Sequence, residues 1–384
     1  MSFLGILLTY AIATSATSIL ARKLGIEWLE GGPLYLQINS SGRMKEILLK
    51  PAKVFRRAFI VVGDLSTALA IPLGLVTAAW LARITWNLIS SGWQAPPSVL
   101  PPIPGFTLSF SWGVVLALFL TLLAHELGHA YAAVGEGLQI RKIGFFILLL
   151  IPGAFVELDE RELLSLPPRR SARVLSSGIG ANVILAILLL VVGLGTLQGF
   201  PRTPSGIYVE RVVPDSPSWG VIQPGIVIYA MNSTPTPTID ALSSILRGAK
   251  PGDLVILDTS EGPLSLRLGS RPDNQSAPWM GVLLSPLGYY APRISILPTS
   301  WAFELSKDIL LAILFNLSAA AINAMPALPL DVGKVLAIRL GVDLTGERDL
   351  TGTFEGRIVL AVSALIWVLL AVNLGYSVIR FVVS

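Results

Sequence analysis

Both histidines of the 384-residue chain fall in one pentapeptide, His125-Glu126-Leu127-Gly128-His129. The residues around this pentapeptide are almost all apolar, which predicts a hydrophobic helix. Residues four apart share one face of an α-helix, so both imidazoles can reach one metal ion while the glutamate projects beside them. This spacing is typical of zinc hydrolases, in which the glutamate is a general base. In a hydrophobic helix, it predicts hydrolysis within a membrane.

The composition supports a membrane protein. The chain is 53% hydrophobic and only 14% charged, and its mean hydropathy is +0.70, whereas soluble domains carry about 25% charged residues. It has no cysteine, which excludes disulfides, cysteine-based zinc sites, iron–sulfur clusters and thiol nucleophiles. The net charge is +4, without a basic stripe that interleaves aromatic residues, so we expect no nucleic-acid partner.

Six apolar stretches are long enough to cross a bilayer, which requires about 20 residues. The sequence therefore predicts a polytopic α-helical membrane protein with about six transmembrane helices. The six stretches are Phe3–Leu20, Ala58–Ile89, Leu108–Val134, Val174–Leu197, Trp301–Met325 and Ile358–Val382.

Basic residues predict the side of the membrane on which each loop lies. They are concentrated in the loop after the first span and again after the third and fifth spans, whereas the loop between the second and third spans is uncharged and rich in proline. By the positive-inside rule, the N-terminus is then extracytoplasmic, and the two histidines lie toward the cytoplasmic side. Because basic residues follow the first span rather than precede it, we expect an uncleaved anchor in the cell membrane.

Two inserts interrupt the spans. Gly144–Leu158 is apolar but too short to cross, and an Ile-Pro-Gly turn at Ile151–Gly153 predicts a re-entrant hairpin that dips into the membrane. Short strand-like runs then alternate with turns and one helix, Ile239–Arg247, across a predicted extracytoplasmic domain. This pattern divides the chain into membrane region 1–200, domain 201–287 and membrane region 288–384.

A catalytic zinc ion needs a third protein ligand, which must be a carboxylate here because the chain has no further His and no Cys. Asp331 follows the segment that begins at Asn323, and helix rise places this segment at a depth similar to that of the histidines. Asp331 is alternatively a helix cap at the membrane interface. The candidate carboxylates are Asp64, Glu136, Glu157 and Asp331.

The pentapeptide together with Asn323–Gly333 resembles the site-2 protease family of intramembrane zinc metalloproteases. That family pairs HExxH on one helix with a later N-x-x-P-x-x-x-L-D-G segment that supplies an aspartate ligand. The order of the spans, the hairpin and the inserted domain match as well. The resemblance implies one catalytic Zn²⁺ ion, a general base at Glu126, and three metal ligands, His125, His129 and Asp331.

The resemblance extends to residues that contact substrate, with one departure. Val332 separates Asp331 from Gly333, where the family has glycine directly after the aspartate. Gly178 and Asn182 resemble the family's G-x-x-x-N element, which implies that the Asn182 amide faces the substrate. The resemblance implies a contact with substrate for Asn323 as well. Close helix packing is the alternative explanation for the small residues.

Residues 201–287 resemble a PDZ domain in its circularly permuted form. Gly206–Pro217 and Pro224-Gly225 carry the resemblance, although Ile226 stands where a PDZ domain usually has aspartate. Trp279–Val282, including Gly281, would form the loop that binds a peptide carboxylate, and such grooves take a peptide as an added strand. A structural lid is the alternative. The expected fold is therefore a polytopic α-helical membrane protein with a re-entrant β-hairpin and an inserted α+β PDZ-like domain.

These features predict a zinc endopeptidase of the lipid bilayer that cleaves transmembrane segments of single-span or truncated membrane proteins. Rival hypotheses are a metal-binding receptor or chaperone without hydrolysis, a metal transporter, and a prenyl-protein type of membrane protease whose third ligand is a glutamate. Five polar residues in or near the spans are given no catalytic role: Asp64, Glu304, Lys307, Asp308 and Asn316.

Overall fold

The computed structural model describes residues 3–40, 42–103, 107–108, 111–148, 151–200, 202–293, 296–345 and 349–383. Residues 149–150 of the expected hairpin and Pro201 at the start of the expected domain lie outside these ranges. The chain forms two compact units. The first consists of Met1–Ala186 and Ala312–Ser384, and the second of Ile187–Leu311.

Five helices in the described ranges are long and apolar enough to cross a membrane by length and composition: α3, α4, α6, α8 and α10. They correspond to five of the six predicted spans. The first predicted span lies in α1, which is not among these five. The helices are α1 (Phe3–Lys23), α2 (Gly42–Val54), α3 (Arg56–Ser90), α4 (Trp112–Glu136), α5 (Glu160–Ser165), α6 (Pro168–Thr196), α7 (Ile239–Arg247), α8 (Thr299–Ala324), α9 (Asp331–Arg339) and α10 (Phe354–Val383).

Helix α4 begins and ends at residues with clear local causes. Ser111 precedes it in an extended conformation, and its hydroxyl oxygen accepts a hydrogen bond from the Val114 N–H at 3.1 Å, which satisfies one of the free donors of the first turn. Gly137 ends the helix at φ 90°, a conformation that glycine adopts without strain. The helix therefore starts at Trp112, later than the Leu108 predicted from hydropathy.

An antiparallel sheet in the first unit has the strand order β1-β2-β3-β4. Its strands are β1 (Leu29–Gly32), β2 (Tyr35–Asn39), β3 (Ile140–Leu148) and β4 (Ile151–Leu158). The sequence predicted the β3–β4 hairpin but not the two strands contributed by the loop after α1.

The predicted position of the hairpin turn was wrong. Pro152 and Gly153 lie inside β4, where they pair with Ile147 and Phe146. Proline is tolerated there because β4 ends the described sheet, and an edge strand leaves some N–H groups outside the ladder. Gly153 is needed because a Cβ at this position would lie 2.3 Å from the Phe146 ring.

Glycines bring the long helices of the first unit close together. A Cβ on Gly128 of α4 would lie 2.4 Å from the Ser177 carbonyl oxygen of α6, and one on Gly180 of α6 would lie 1.8 Å from the Ser66 hydroxyl oxygen of α3. Small residues at such contacts allow backbones of membrane helices to approach closely. Helix α6 is thereby held against both α3 and α4.

Ion pairs join the same three helices. Arg173 of α6 donates to Asp64 of α3 at 2.7 Å and to Glu136 of α4 at 2.8 Å. Arg170 also pairs with Glu136, and Arg169 with Asp64. The Glu136 side chain is only 4% exposed, so its charge depends on these partners. Two of the four candidate metal ligands are thus committed to arginines.

The second unit contains an antiparallel sheet with the order β12-β5-β6-β8-β9, in which β7 also pairs with β6. A separate hairpin joins β10 and β11. The strands of the second unit are β5 (Gly206–Val212), β6 (Val227–Met231), β7 (Thr234–Pro235), β8 (Leu254–Thr259), β9 (Gly262–Arg267), β10 (Gly269–Arg271), β11 (Asn274–Trp279) and β12 (Val282–Tyr289).

The core of this sheet includes Val209, Ile228, Leu242 and Leu257, all almost fully buried. Helix α7 contributes Leu242 and has the predicted bounds, with the Thr238 hydroxyl accepting a hydrogen bond from the first turn. Strand β12 begins at Val282, directly after Gly281 of the predicted carboxylate-binding loop.

Candidate metal centre

Three ligand atoms from two helices meet in the first unit. The Nε2 atoms of His125 and His129 lie 3.2 Å apart. Asp331 Oδ2, from the first turn of α9, lies 3.3 Å from His125 Nε2 and 3.4 Å from His129 Nε2. The three side chains are only 11 to 13% exposed. Within the described ranges, they form the one group of three or more His, Asp or Glu side chains that could hold a metal ion.

The triangle has the dimensions of a zinc site. Ligands about 2.0–2.1 Å from a tetrahedral metal are about 3.3 Å from one another, which matches all three measured separations. Asp331 Oδ2 is buried without a hydrogen-bond donor in the described structure. A buried carboxylate oxygen without a donor is costly unless a cation satisfies it. The residues therefore fit a metal ion with two nitrogen ligands and one oxygen ligand.

A backbone carbonyl orients one of the histidines. His129 Nδ1 lies 2.8 Å from the Val174 carbonyl oxygen of α6. Because a carbonyl only accepts, Nδ1 carries the proton, and Nε2 has a lone pair free to bind a metal ion. Histidine ligands commonly have such a partner, which fixes both the ring and the tautomer. This contact has no signature in the sequence, because any residue provides a carbonyl.

Gly178 of α6 lies directly against the two imidazoles. A Cβ at this position would be 2.5 Å from His129 Nε2 and 2.7 Å from His125 Cε1. Only glycine leaves the space between α6 and the ligand atoms free. Gly178 was predicted to contact substrate, and in the structure it lies at the ligand triangle.

Glu126 is held by the sheet. Its Oε2 accepts a hydrogen bond of 3.0 Å from the Val156 N–H of β4. This N–H group donates its hydrogen bond to Glu126 of α4 and not to β3, so it lies on the edge of β4 that faces away from β3. The carboxylate is thereby fixed beside an edge strand, a second contact that the sequence did not reveal.

The other predicted substrate residues have different surroundings. Asn182, one turn beyond Gly178 on α6, is fully buried, and neither atom of its amide has a partner among the described residues. Asn323 donates instead to the Ala319 carbonyl of its own helix at 3.1 Å. Gly281 belongs to the second unit, at φ +79°. Gly333 packs so closely on Ala327 that a Cβ would be 2.3 Å from its carbonyl.

The remaining candidate carboxylates are not part of the triangle. Asp64 and Glu136 pair with arginines, and Glu157 is exposed on β4. Asn316, which was given no catalytic role, donates to the Thr121 hydroxyl of α4 at 2.9 Å. Thr121 lies one turn before His125, so this bond ties α8 to the helix that carries the histidines.

The chain belongs to peptidase family M50, whose family model matches residues 113–369. A membrane-bound transcription factor site-2 protease homolog of Arabidopsis thaliana is 34% identical over 125 residues, which are 31% of this chain and 24% of that protein. An uncharacterized protein of Methanocaldococcus jannaschii is 26% identical over 61% of this chain and 56% of its own length. A Nostoc protein, named as a zinc metalloprotease, is 25% identical over 45% of this chain and 57% of its own length.

The chain thus spans between about a quarter and somewhat more than half of the length of these relatives. Two solved structures match at a TM-score of 0.20 and cover 21% of this chain. They are the PDZ domains of SdrC-like proteins from Listeria innocua, 23% identical over 92% of that chain, and Listeria monocytogenes, 22% identical over 90% of that chain.

Replacing Gly178 with alanine should remove bound metal without unfolding the protein. The added methyl group would occupy the space beside His129 Nε2, whereas alanine itself favours a helix. We expect the zinc content of purified protein to fall from one ion per chain toward zero, with an unfolding temperature equal to that of the metal-free parent protein. The matched control is Gly195→Ala on the same helix, where a Cβ meets no atom within 4 Å. Full zinc in Gly178→Ala would contradict the assignment.

Replacing Asp331 with asparagine should weaken zinc binding more than about 100-fold, because loss of a ligand exceeds the loss expected for its outer partners. Competition with a chelator measures this affinity. Glu157→Gln, at an exposed carboxylate outside the triangle, should bind zinc like the parent protein. If Asp331→Asn kept the parent affinity, the third ligand would be a glutamate, as in the prenyl-protein type of protease.

Proposed function

We propose that this chain is an intramembrane zinc endopeptidase that hydrolyses peptide bonds in transmembrane segments of other membrane proteins. The observation that carries the proposal is the ligand triangle of His125, His129 and Asp331. The two histidines and Glu126 lie on α4, a helix long and apolar enough to span a membrane. Ionisable side chains at such depth are costly and usually functional. Membership of peptidase family M50 supports the same reaction.

The four residues have two roles in this proposal. His125, His129 and Asp331 hold the zinc ion, which when bound supplies Lewis-acid activation of water and of the scissile carbonyl. Glu126 accepts a proton from the attacking water and returns it to the leaving amine. Its bond to the Val156 N–H holds the carboxylate in one orientation before substrate arrives.

The unpaired edge of β4 is the proposed site for the substrate backbone. A helical amide is hydrogen-bonded and shielded, so a transmembrane segment has to unwind before hydrolysis. An edge strand can hold the unwound segment as an added strand through main-chain hydrogen bonds. The hydrogen bond of Glu126 to this edge supports the idea, as does the packing of β4 against α4. Asn182, buried without a partner, is the amide we propose to contact the substrate, with Asn323 and the backbone near Gly178 beside it.

The second unit is proposed to act in substrate selection outside the membrane. Within residues 201–287, β12 pairs with β5 alone among the described strands, which leaves an edge on which a peptide could add. Gly281 immediately precedes β12 with a positive φ, as suits a loop that binds a peptide C-terminus. We propose six spans with an extracytoplasmic N-terminus and PDZ-like domain, flanked by membrane regions 1–200 and 288–384.

Glu126→Gln should abolish proteolysis while keeping zinc. The amide retains the size of the side chain but cannot accept the proton from water, so we expect cleavage of co-expressed single-span membrane segments to fall at least about 100-fold. His125→Ala should lose both zinc and cleavage. A receptor, chaperone or metal transporter would keep its function in Glu126→Gln. If this variant kept the function of the parent protein, the peptidase hypothesis would be rejected.

Val156→Pro should impair cleavage much more than Val156→Ala. Proline removes the N–H that holds Glu126 and blocks main-chain pairing on the β4 edge, whereas alanine preserves both. We expect at least about tenfold slower cleavage for the proline variant, measured on the same segments, with zinc content unchanged as the test of folding. Equal rates for the two variants would exclude the β4 edge as the substrate site.

A further inference from the structure

Helix α2 carries three different faces. Leu49 and Ala52 are 5% and 0% exposed, and Leu49 belongs to the hydrophobic cluster that contains Ala130 and Ala133 of α4. This inner face fixes the helix on the first unit. Two basic residues support the attachment: Lys45 donates to the Ile140 carbonyl, and Arg56, just beyond the helix, donates to the Gly135 carbonyl at 2.7 Å.

A second face of α2 is apolar but is not covered by the protein. Met44, Ile47 and Val54 are 48%, 63% and 62% exposed, and Phe55 directly after the helix is 60% exposed. At 100° per residue, the three helical positions fall within one sector of the helix, nearly opposite the buried face. An apolar strip of this kind in water would be unfavourable.

The third face of α2 is basic. Arg43, Lys50 and Lys53 lie together on the helical wheel, between the apolar strip and the buried face, and all three are exposed. None of them forms a salt bridge with an acidic residue in the described part of the chain. Glu46 is the one acidic side chain of the helix. Glu46 lies within this face, between Lys53 and Lys50 on the wheel, so the three basic residues and one acidic residue leave the face with a net positive charge.

The position of α2 in the chain places it at a membrane surface. It ends at Val54, and α3 begins at Arg56 with a sequence long and apolar enough to cross the bilayer. An apolar strip beside a basic strip is the pattern of helices that lie in the membrane interface, and the affinity of such helices increases with anionic lipid.

We propose that α2 is an interfacial helix that binds the headgroups of anionic phospholipids. Met44, Ile47 and Val54 enter the boundary between headgroups and acyl chains, and the basic face contacts lipid phosphates. The inner face remains packed on α4, so the helix links the bilayer surface to the helix that carries the metal ligands. This binding surface is independent of the proposed peptidase activity.

The absence of cysteine allows a direct test with the full chain. Ile47→Cys, labelled with a polarity-sensitive fluorophore, is reconstituted into vesicles of phosphatidylcholine alone or with about 30% phosphatidylglycerol. We expect a blue-shifted emission and stronger quenching by brominated acyl chains in the anionic vesicles. The control is Ser265→Cys, at an exposed position of β9 in the second unit, which should show neither difference.

Neutralising the basic face tests the role of charge. A triple variant in the Ile47→Cys background carries Arg43→Gln, Lys50→Gln and Lys53→Gln. In this variant the emission should no longer depend on phosphatidylglycerol, and high salt should have the same effect on the labelled Ile47→Cys protein. A matched triple variant, Arg202→Gln, Arg247→Gln and Arg267→Gln, should retain the dependence, with thermal unfolding of both variants as the folding check. Identical emission in neutral and anionic vesicles, or an unchanged response in the neutralised variant, would overturn the proposal and leave the basic residues as topology signals alone.

Discussion

Three metal-ligand atoms meet in an apolar helical interior, and the first unit is organised around this convergence. His125 and His129 are one turn apart on α4, whereas Asp331 comes from the start of α9, about two hundred residues later in the chain. Burial without a shared cation would leave the Asp331 oxygen unsatisfied at considerable cost. The three ligand atoms lie within 3.2 to 3.4 Å of one another. Three features of the fold allow this approach: the close contacts of α6 with α3 and α4, the end of α8 at Ala324, and the absence of a side chain at Gly178.

Backbone groups, rather than further side chains, hold the reactive residues in place. The Val174 carbonyl fixes the tautomer of His129, and the Val156 N–H fixes the carboxylate of Glu126. The first comes from α6 and the second from the edge of the sheet, so two separate elements support the pentapeptide of α4. Such support depends on the packing of whole elements and tolerates changes in the side chains at those positions. A substrate strand on β4 would approach the general base directly.

The ion pairs among α3, α4 and α6 account for the carboxylates that could have competed as ligands. Asp64 and Glu136 face arginines of α6, which both removes them from metal binding and anchors the helix that carries Gly178. The basic face of α2 has a different character, because Arg43, Lys50 and Lys53 form no salt bridge in the described structure. The same residue types thus serve as structural ties in one place and as a lipid-binding surface in another.

The sequence by itself determined the features that depend on local pattern. Hydropathy located five spans, helical spacing put His125 and His129 on one face, and α7 had its predicted bounds because its cap and periodicity are local. The sequence could only offer four carboxylates for the third ligand until a family resemblance singled out Asp331, and it placed the hairpin turn at Pro152, which lies in an edge strand. The tertiary structure decided these points, along with the roles of Val174 and Val156. Contacts between distant segments depend on how helices and strands pack, and a backbone amide or carbonyl has the same chemistry in almost every residue, so it leaves no trace in the sequence.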